Sequence, residues 1–282
     1  MSRSKRKTAP VLVAVSNPET ADRLVHLASI LEAEEPREII LTHVATVATQ
    51  ISLTTGQSSP EVVQARDFLQ EVMEGARGAG VKARALVEVA RTVDEGLLAA
   101  AESHEVGLVL VGYSDADGPG EVGKEEERFD RAMHRVARKA DADVVVAKFR
   151  SSEMKRILVP VTRVSPLHVA GLLCRALAGV EGADLTFFHV VGSEVDRDQA
   201  AGRVAGRLEE RGVASLGRLE VAVSDTPVDR IVEEAQHHDL VVVGPSGRPR
   251  VLEAIFSSKA RRIAEEAPAS VLLAWNRTGN GA

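Results

Sequence analysis

Residues 11–16 read VLVAVS and residues 157–162 read ILVPVT, an apolar run closing on a hydroxyl residue that returns 146 positions later. The same offset relates IILTHV at 39–44 to LTFFHV at 185–190, which sets His43 opposite His189. LVLVG at 108–112 returns as LVVVG at 240–244, now only 132 positions on. The first copy therefore carries about 14 extra residues between its second and fourth apolar runs, and the Thr, Ser and Gln-rich stretch 46–60 is where an insertion fits. VVV at 144–146 matches VLL at 271–273, each after a helical segment ending in Ala140 or Ala267. Self-similarity over the whole length predicts two copies of one unit.

Within each copy, short runs rich in Val, Leu and Ile alternate with longer segments of helical period, the pattern of βαβ units around a parallel sheet. The first copy predicts strands at 10–16, 38–45, 82–90, 107–112 and 143–149, with helices at 18–34, 60–79, 93–105 and 124–141. The second predicts strands at 155–162, 183–191, 216–224, 239–244 and 270–276, with helices at 165–180, 194–212, 226–238 and 249–267. Unbroken apolar runs such as LVLV suit strands covered on both faces. The expected fold class is α/β, two doubly wound, Rossmann-like parallel sheets of five strands in tandem, as domains 8–150 and 154–277. A connection of about five residues, 150–154, is too short for independent wandering, so the copies are expected to pack as an intrachain pseudo-dimer.

Composition excludes several classes of function. A formal net charge of −6 argues against an electrostatic grip on nucleic acid or an anionic membrane, and one Trp, one Tyr and six Phe provide few stacking platforms for bases. The basic run at 2–7 reads as a solvated terminus. No apolar stretch approaches the ~18 residues of a membrane span, and no apolar region follows the basic start, so a cytoplasmic protein is expected. Cys174 is the only cysteine, which excludes an intrachain disulfide and any zinc site with two thiolates.

In an open parallel sheet a ligand binds beyond the carboxyl ends of the strands. In the second copy those ends are Val161, Thr162, Val190 and Gly244. Gly244 opens Gly244-Pro245-Ser246-Gly247, and nine residues later Ser257 and Ser258 begin a helix running through Lys259. Glycines admit a phosphate close to the backbone, and helix-start amides and hydroxyls donate to its oxygens. Arg248, Arg250, Lys259, Arg261 and Arg262 add positive charge.

This copy resembles the universal stress protein family, whose ATP-binding members show G-x2-G-x9-G-[S/T] after the fourth strand where this chain reads G-x2-G-x9-S-S. The resemblance extends over nearly the whole chain and implies an adenine-nucleotide alpha-hydrolase-like fold. It also implies a site for ATP, ADP or AMP, with Mg, at Val161, Thr162, Val190, Gly244, Pro245, Gly247, Arg248, Ser257, Ser258 and Lys259. Two positions depart from the family: Ser257 replaces a glycine, and Thr162 (Ser16 in the first copy) stands where the family's first strand usually ends in an Asp. A hydroxyl cannot reproduce a carboxylate's double acceptor. The family also pairs the fifth strands of two domains, here 144–147 against 271–274, and a further homodimer is open. His43 and His189 take the place of a structural histidine.

The first copy is expected to be degenerate. Gly112 is followed by Tyr113, Ser114 and Asp115, and Asp130 and Arg131 stand at the Gly-Ser positions. Its loop holds Asp115, Asp117, Glu121, Glu125, Glu126 and Glu127, which would repel a triphosphate unless a cation intervened; solvated carboxylates are the plainer reading than a metal site. Gly118, Gly120, Gly123 and Lys124 mimic two phosphate motifs. A Walker loop needs Ser or Thr where Glu125 stands, however, and a Rossmann fingerprint follows the first strand directly. His237 and His238 at a helix end lack a third metal ligand, and Cys174 reads as a packed thiol.

No catalytic set assembles, so no enzyme is expected. The resulting expectation is a stress-response or regulatory module with a nucleotide site in the second copy and a protein partner of unknown identity. VSNPETA at 15–21 also looks like the tandem stress domains attached to some amino-acid and cation transporters, which suggests a nucleotide-independent interaction module as the alternative. An enzyme or flavoprotein of the wider adenine-nucleotide-binding group is disfavoured, because the Ser and Gly-rich loop of ATP pyrophosphatases follows neither first strand.

Overall fold

The structure, a computed structural model, describes residues 9–49, 59–113, 122–161, 168–244 and 258–277. The chain divides into two compact units, the first ending at Val146 and taking in Arg277, the second running Ala147–Asn276.

The first unit contains β1 (Val11–Ala14), α1 (Pro18–Glu34), β2 (Ile39–Thr46), α2 (Pro60–Gly78), β3 (Ala83–Ala90), α3 (Val93–Ser103), β4 (Leu108–Tyr113), α4 (Val122–Lys139) and β5 (Asp143–Lys148). Its strands lie in the order β3-β2-β1-β4-β5, with β1 parallel to β2 and β4, and β2 parallel to β3. Val11, Leu12, Val13, Leu108, Val109 and Leu110 have essentially no exposed surface, as strands covered on both faces require. Local signals set the helix ends. Asn17 accepts the Glu19 N–H at 2.8 Å and Pro18 occupies the first turn, so α1 starts where the sequence places it. Gly80, at φ 78°, follows α2, and the Val81 N–H returns to the Ala76 carbonyl at 2.8 Å.

The two faces of the sheet are legible from single contacts. On β2, His43 meets the Phe68 ring of α2 edge-on at 5.5 Å, whereas Val44, pointing the other way, lies where a side-chain carbon on Gly96 of α3 would meet it at 2.5 Å. Helices α2 and α3 therefore cover opposite faces.

The second unit contains β6 (Arg156–Pro160), α5 (His168–Val180), β7 (Asp184–Val191), α6 (Arg197–Glu210), β8 (Gly217–Val223), α7 (Pro227–Ala235), β9 (Leu240–Val243), α8 (Ser258–Glu266) and β10 (Ser270–Trp275). Its strands lie in the order β8-β7-β6-β9-β10, all neighbours parallel. Helix α6 ends as α2 does: Gly212 at φ 66° follows it, and the Val213 N–H returns to the Leu208 carbonyl at 3.0 Å.

Two helix boundaries differ from expectation for a visible physical reason. The helix expected from 194 begins as a single 3-10 turn, Glu194–Asp196, because Ser193 spends its hydroxyl on the Asp196 carboxylate and no side chain caps the first amides. Helix α7 stops at Ala235 rather than 238, since the His237 and His238 N–H groups bond three residues back and tighten the last turn. The first half of the helix expected over 249–267 lies outside the described residues, and α8 is described from Ser258.

Candidate ligand crevice at the carboxyl ends of the strands

Strands β6, β7 and β9 bring the expected site of the second unit together as far as it is described. The Val161 N–H donates to the Phe188 carbonyl at 2.8 Å, and the Val161 carbonyl accepts from His189 Nδ1 at 2.6 Å. A carbonyl cannot donate, so Nδ1 is the donor. His189 is buried. The first unit repeats the arrangement, with the Val15 N–H on the Thr42 carbonyl at 2.9 Å and His43 Nδ1 on the Val15 carbonyl at 2.9 Å. Both histidines thus brace the exit of the first strand of their unit against the second.

Leu158 pairs with Val241, a register that carries Val161 level with Gly244. Strand alternation sets Val190, half-buried, on the face opposite His189, with Phe188. Among the described residues, a side-chain carbon on Gly244 would meet only Ala170 Cβ at 3.7 Å, an ordinary contact. The equivalent Gly112 has no such room, with Leu24 Cδ1 at 2.9 Å and Thr20 Oγ1 at 3.2 Å. An added carbon is thus crowded by side chains of α1 in the first unit, and makes an ordinary contact with the described residues of the second.

Thr162, Pro245, Gly247, Arg248 and Ser257 lie outside the described residues, as does the loop of the first copy through Asp115, Asp117 and Glu121. Ser258 opens α8, and Lys259 is exposed. Two of the cations counted toward the site are engaged. Arg261 bonds Glu265 at 2.6 Å, while Arg262 bonds Glu266 at 2.7 Å and also pairs with Asp229 of α7. Among the described residues no group of three His, Cys, Asp or Glu could hold a metal. Cys174 is buried, and desolvation pushes its thiol up to about 12, so it is a neutral packed group at physiological pH.

Sequence reasoning missed two features beside the crevice. Asn276, just past β10, accepts the Val169 N–H at 3.0 Å and so serves the amino end of α5, the duty Asn17 performs locally for α1. Arg230 of α7 stacks 5.2 Å above the Phe188 ring and bonds Glu234 at 2.9 Å. Neither leaves a sequence signal, because each depends on a partner 42 or more residues away.

These units are α/β sheets with helices on both faces, and the candidate site residues lie where the first, second and fourth strands end. The universal stress protein family model matches residues 153–274. No curated protein matches the chain in sequence. Several solved structures share its fold over nearly the full length of both chains. A universal stress protein from Archaeoglobus fulgidus DSM 4304 is 15% identical, with a TM-score of 0.67 over 96% of this chain and 97% of that one. The cytoplasmic domain of a prokaryotic cation chloride cotransporter is 14% identical, with a TM-score of 0.59 over 96% of each chain. A putative universal stress protein from Pseudomonas aeruginosa UCBPP-PA14 is 16% identical, with a TM-score of 0.62 over 96% and 94%. Among the described residues, no helix is long and apolar enough to cross a membrane.

Proposed function

We propose that the chain is a tandem stress-response module of the cytoplasm, two copies of one stress-protein domain, in which the second copy binds an adenine nucleotide and the first supports it. The observation that carries this reading is the coincidence of three things in one unit. Residues 153–274 match the family, they contain the whole of G-x2-G-x9-S-S, and the first glycine of that motif directly follows β9, where an added carbon would make only an ordinary contact with the described residues. ATP, ADP or AMP, with Mg for the longer phosphates, is the ligand class; turnover is not part of the proposed function, since no nucleophile and base pair can be assembled from the spacing of the sequence.

The second reading is a nucleotide-independent interaction module of the transporter-regulating kind. Two observations favour it: Thr162 and Ser257 stand where nucleotide binders carry Asp and Gly, and the fold is shared with a cotransporter's cytoplasmic domain. Calorimetric titration with Mg-ATP, ADP and AMP, beside Gly247→Asp and Ser258→Asp, separates the two. Binding at roughly one site per chain that either added carboxylate abolishes supports the nucleotide reading. Absence of heat with all three ligands overturns it in favour of the interaction module.

A further inference from the structure

Helix α8 closes on Glu265 and Glu266 with no basic residue in its last turn, the wrong sign of charge for a helix carboxyl end. Helix α4, in the same place in the first unit, closes on Arg138 and Lys139. The carbonyl of Ala264 faces a second deficit, because the residue four positions on is Pro268, which has no N–H to give. Arg261 and Arg262 answer Glu265 and Glu266 from within the helix, but the carbonyl deficit is met from outside it. Arg150, in the short segment that joins the two copies, donates from Nη2 to the Ala264 carbonyl at 3.1 Å and to the Glu265 carbonyl at 2.9 Å. The same segment is anchored a second time. The N–H groups of Arg150 and Ser151 reach the hydroxyl of Ser270 at 3.0 and 3.1 Å, and that hydroxyl donates to the Ser151 carbonyl at 3.3 Å. One donor and two acceptor positions are the full capacity of a serine hydroxyl, and Ser270 is wholly buried.

We propose that α8 and the joining segment form one mechanical piece through Arg150, so that a ligand held at the amino end of α8 also orders the joint. Arg150 acts as a positioning residue: its guanidinium supplies the donors that the last carbonyls of α8 lack, and Ser270 holds the backbone from which it reaches. The ligand arm rests on the nucleotide reading given above, which counts Ser258, the first residue of α8, in the site. The coupling itself does not.

Hydrogen exchange followed by mass spectrometry on the full chain tests both arms. Arg150 is exposed, so Arg150→Gln leaves the core intact. In that variant residues 258–266 exchange about threefold faster, while the α1 segment is unchanged. In the parent, saturating Mg-ATP slows exchange in 258–266 and in 150–154; in Arg150→Gln it slows only the former. Unaltered exchange of α8 in Arg150→Gln overturns the proposal, and so does protection by Mg-ATP that stops at α8 in the parent. Faster exchange of α8 in the variant with no effect of Mg-ATP on the parent supports the coupling and removes the nucleotide reading alone.

Discussion

Glycine has unlike meanings at different positions, and the difference can be measured. Gly217 opens β8 with φ −171° and ψ −176°, extended backbone open to any residue. A side-chain carbon there, however, would sit 2.2 Å from the Leu185 carbonyl oxygen and 2.6 Å from Leu185 Cβ. Backbone cannot step aside as a flexible side chain can, so Gly217→Ala is expected to cost about 2–3 kcal/mol in denaturant unfolding. Gly202, in the exposed middle of α6, has nothing within 4 Å of the added carbon, and Gly202→Ala is expected to stabilise by about 0.5–1 kcal/mol. Equal effects of the two changes would refute the steric account. The same logic explains a paired exchange between the units. Phe188 with Arg230 stacked on it in the second unit corresponds to Thr42 and Gly96 in the first, two large side chains against two small ones. The small pair lets α3 descend onto Val44, at the cost of a Thr42 hydroxyl buried without a partner.

At the scale of elements, the helix after the third strand is tied to the helix after the fourth by an ion pair in both units. Counted from the capping residues Thr92 and Thr226, Glu95 corresponds to Asp229 and Asp94 to Val228. Arg262 pairs with Asp229 at the surface. Arg135 lies 4.0 Å from Glu95 and 2.8 Å from Oδ2 of Asp94, whose side chain is only 7% exposed. Oδ2 makes no aligned hydrogen bond, so the attraction is coulombic. Val228 shows that this fold accepts an apolar residue at that depth. Asp94→Val is therefore expected to be neutral or stabilising by up to about 1–2 kcal/mol. Arg135→Gln, which strands the buried carboxylate, should cost about 1–2 kcal/mol, less than a fully buried pair because the arginine is 44% exposed. If Asp94→Val costs as much as Arg135→Gln, the carboxylate has a role beyond this pair. Such ties also mark where sequence reading stops. Strand cores and the start of α1 are legible because burial on both faces forces unbroken Val, Leu and Ile, and because Asn17-Pro18 is a local cap signal. Ser270 with Arg150, and Asn276 with Val169, join residues more than a hundred positions apart, and no periodicity reports them. The crevice lies between these extremes. Gly244 and the serines of the motif were legible as a pattern, whereas the engagement of Arg261 and Arg262 by neighbouring carboxylates was visible only as spacing that competes with a phosphate-binding role.

For the molecule as a whole, electrostatics sets how the proposed site can discriminate among nucleotides. The chain carries a net charge of −6, so its long-range field opposes an anionic ligand, and opposes it more as phosphates are added. Local cations must offset this. Of the five counted near the motif, Arg261 and Arg262 are neutralised by Glu265, Glu266 and Asp229, which leaves Lys259 and the two arginines at 248 and 250. On the proposed reading, these three charges against a growing ligand charge and a negative surround give little gain per phosphate, so recognition would rest chiefly on the nucleoside and the first phosphate. The expected outcome is that AMP, ADP and ATP, titrated without magnesium at physiological salt, have dissociation constants within about tenfold of one another, a spread of roughly 1.4 kcal/mol. Raising the salt should tighten ATP relative to AMP if the global repulsion dominates, and weaken it if the local cations do. A hundredfold preference for ATP that collapses with salt would show that Arg248 and Arg250 govern the site. Double replacement of those two by Gln should then abolish the preference while leaving AMP binding in place.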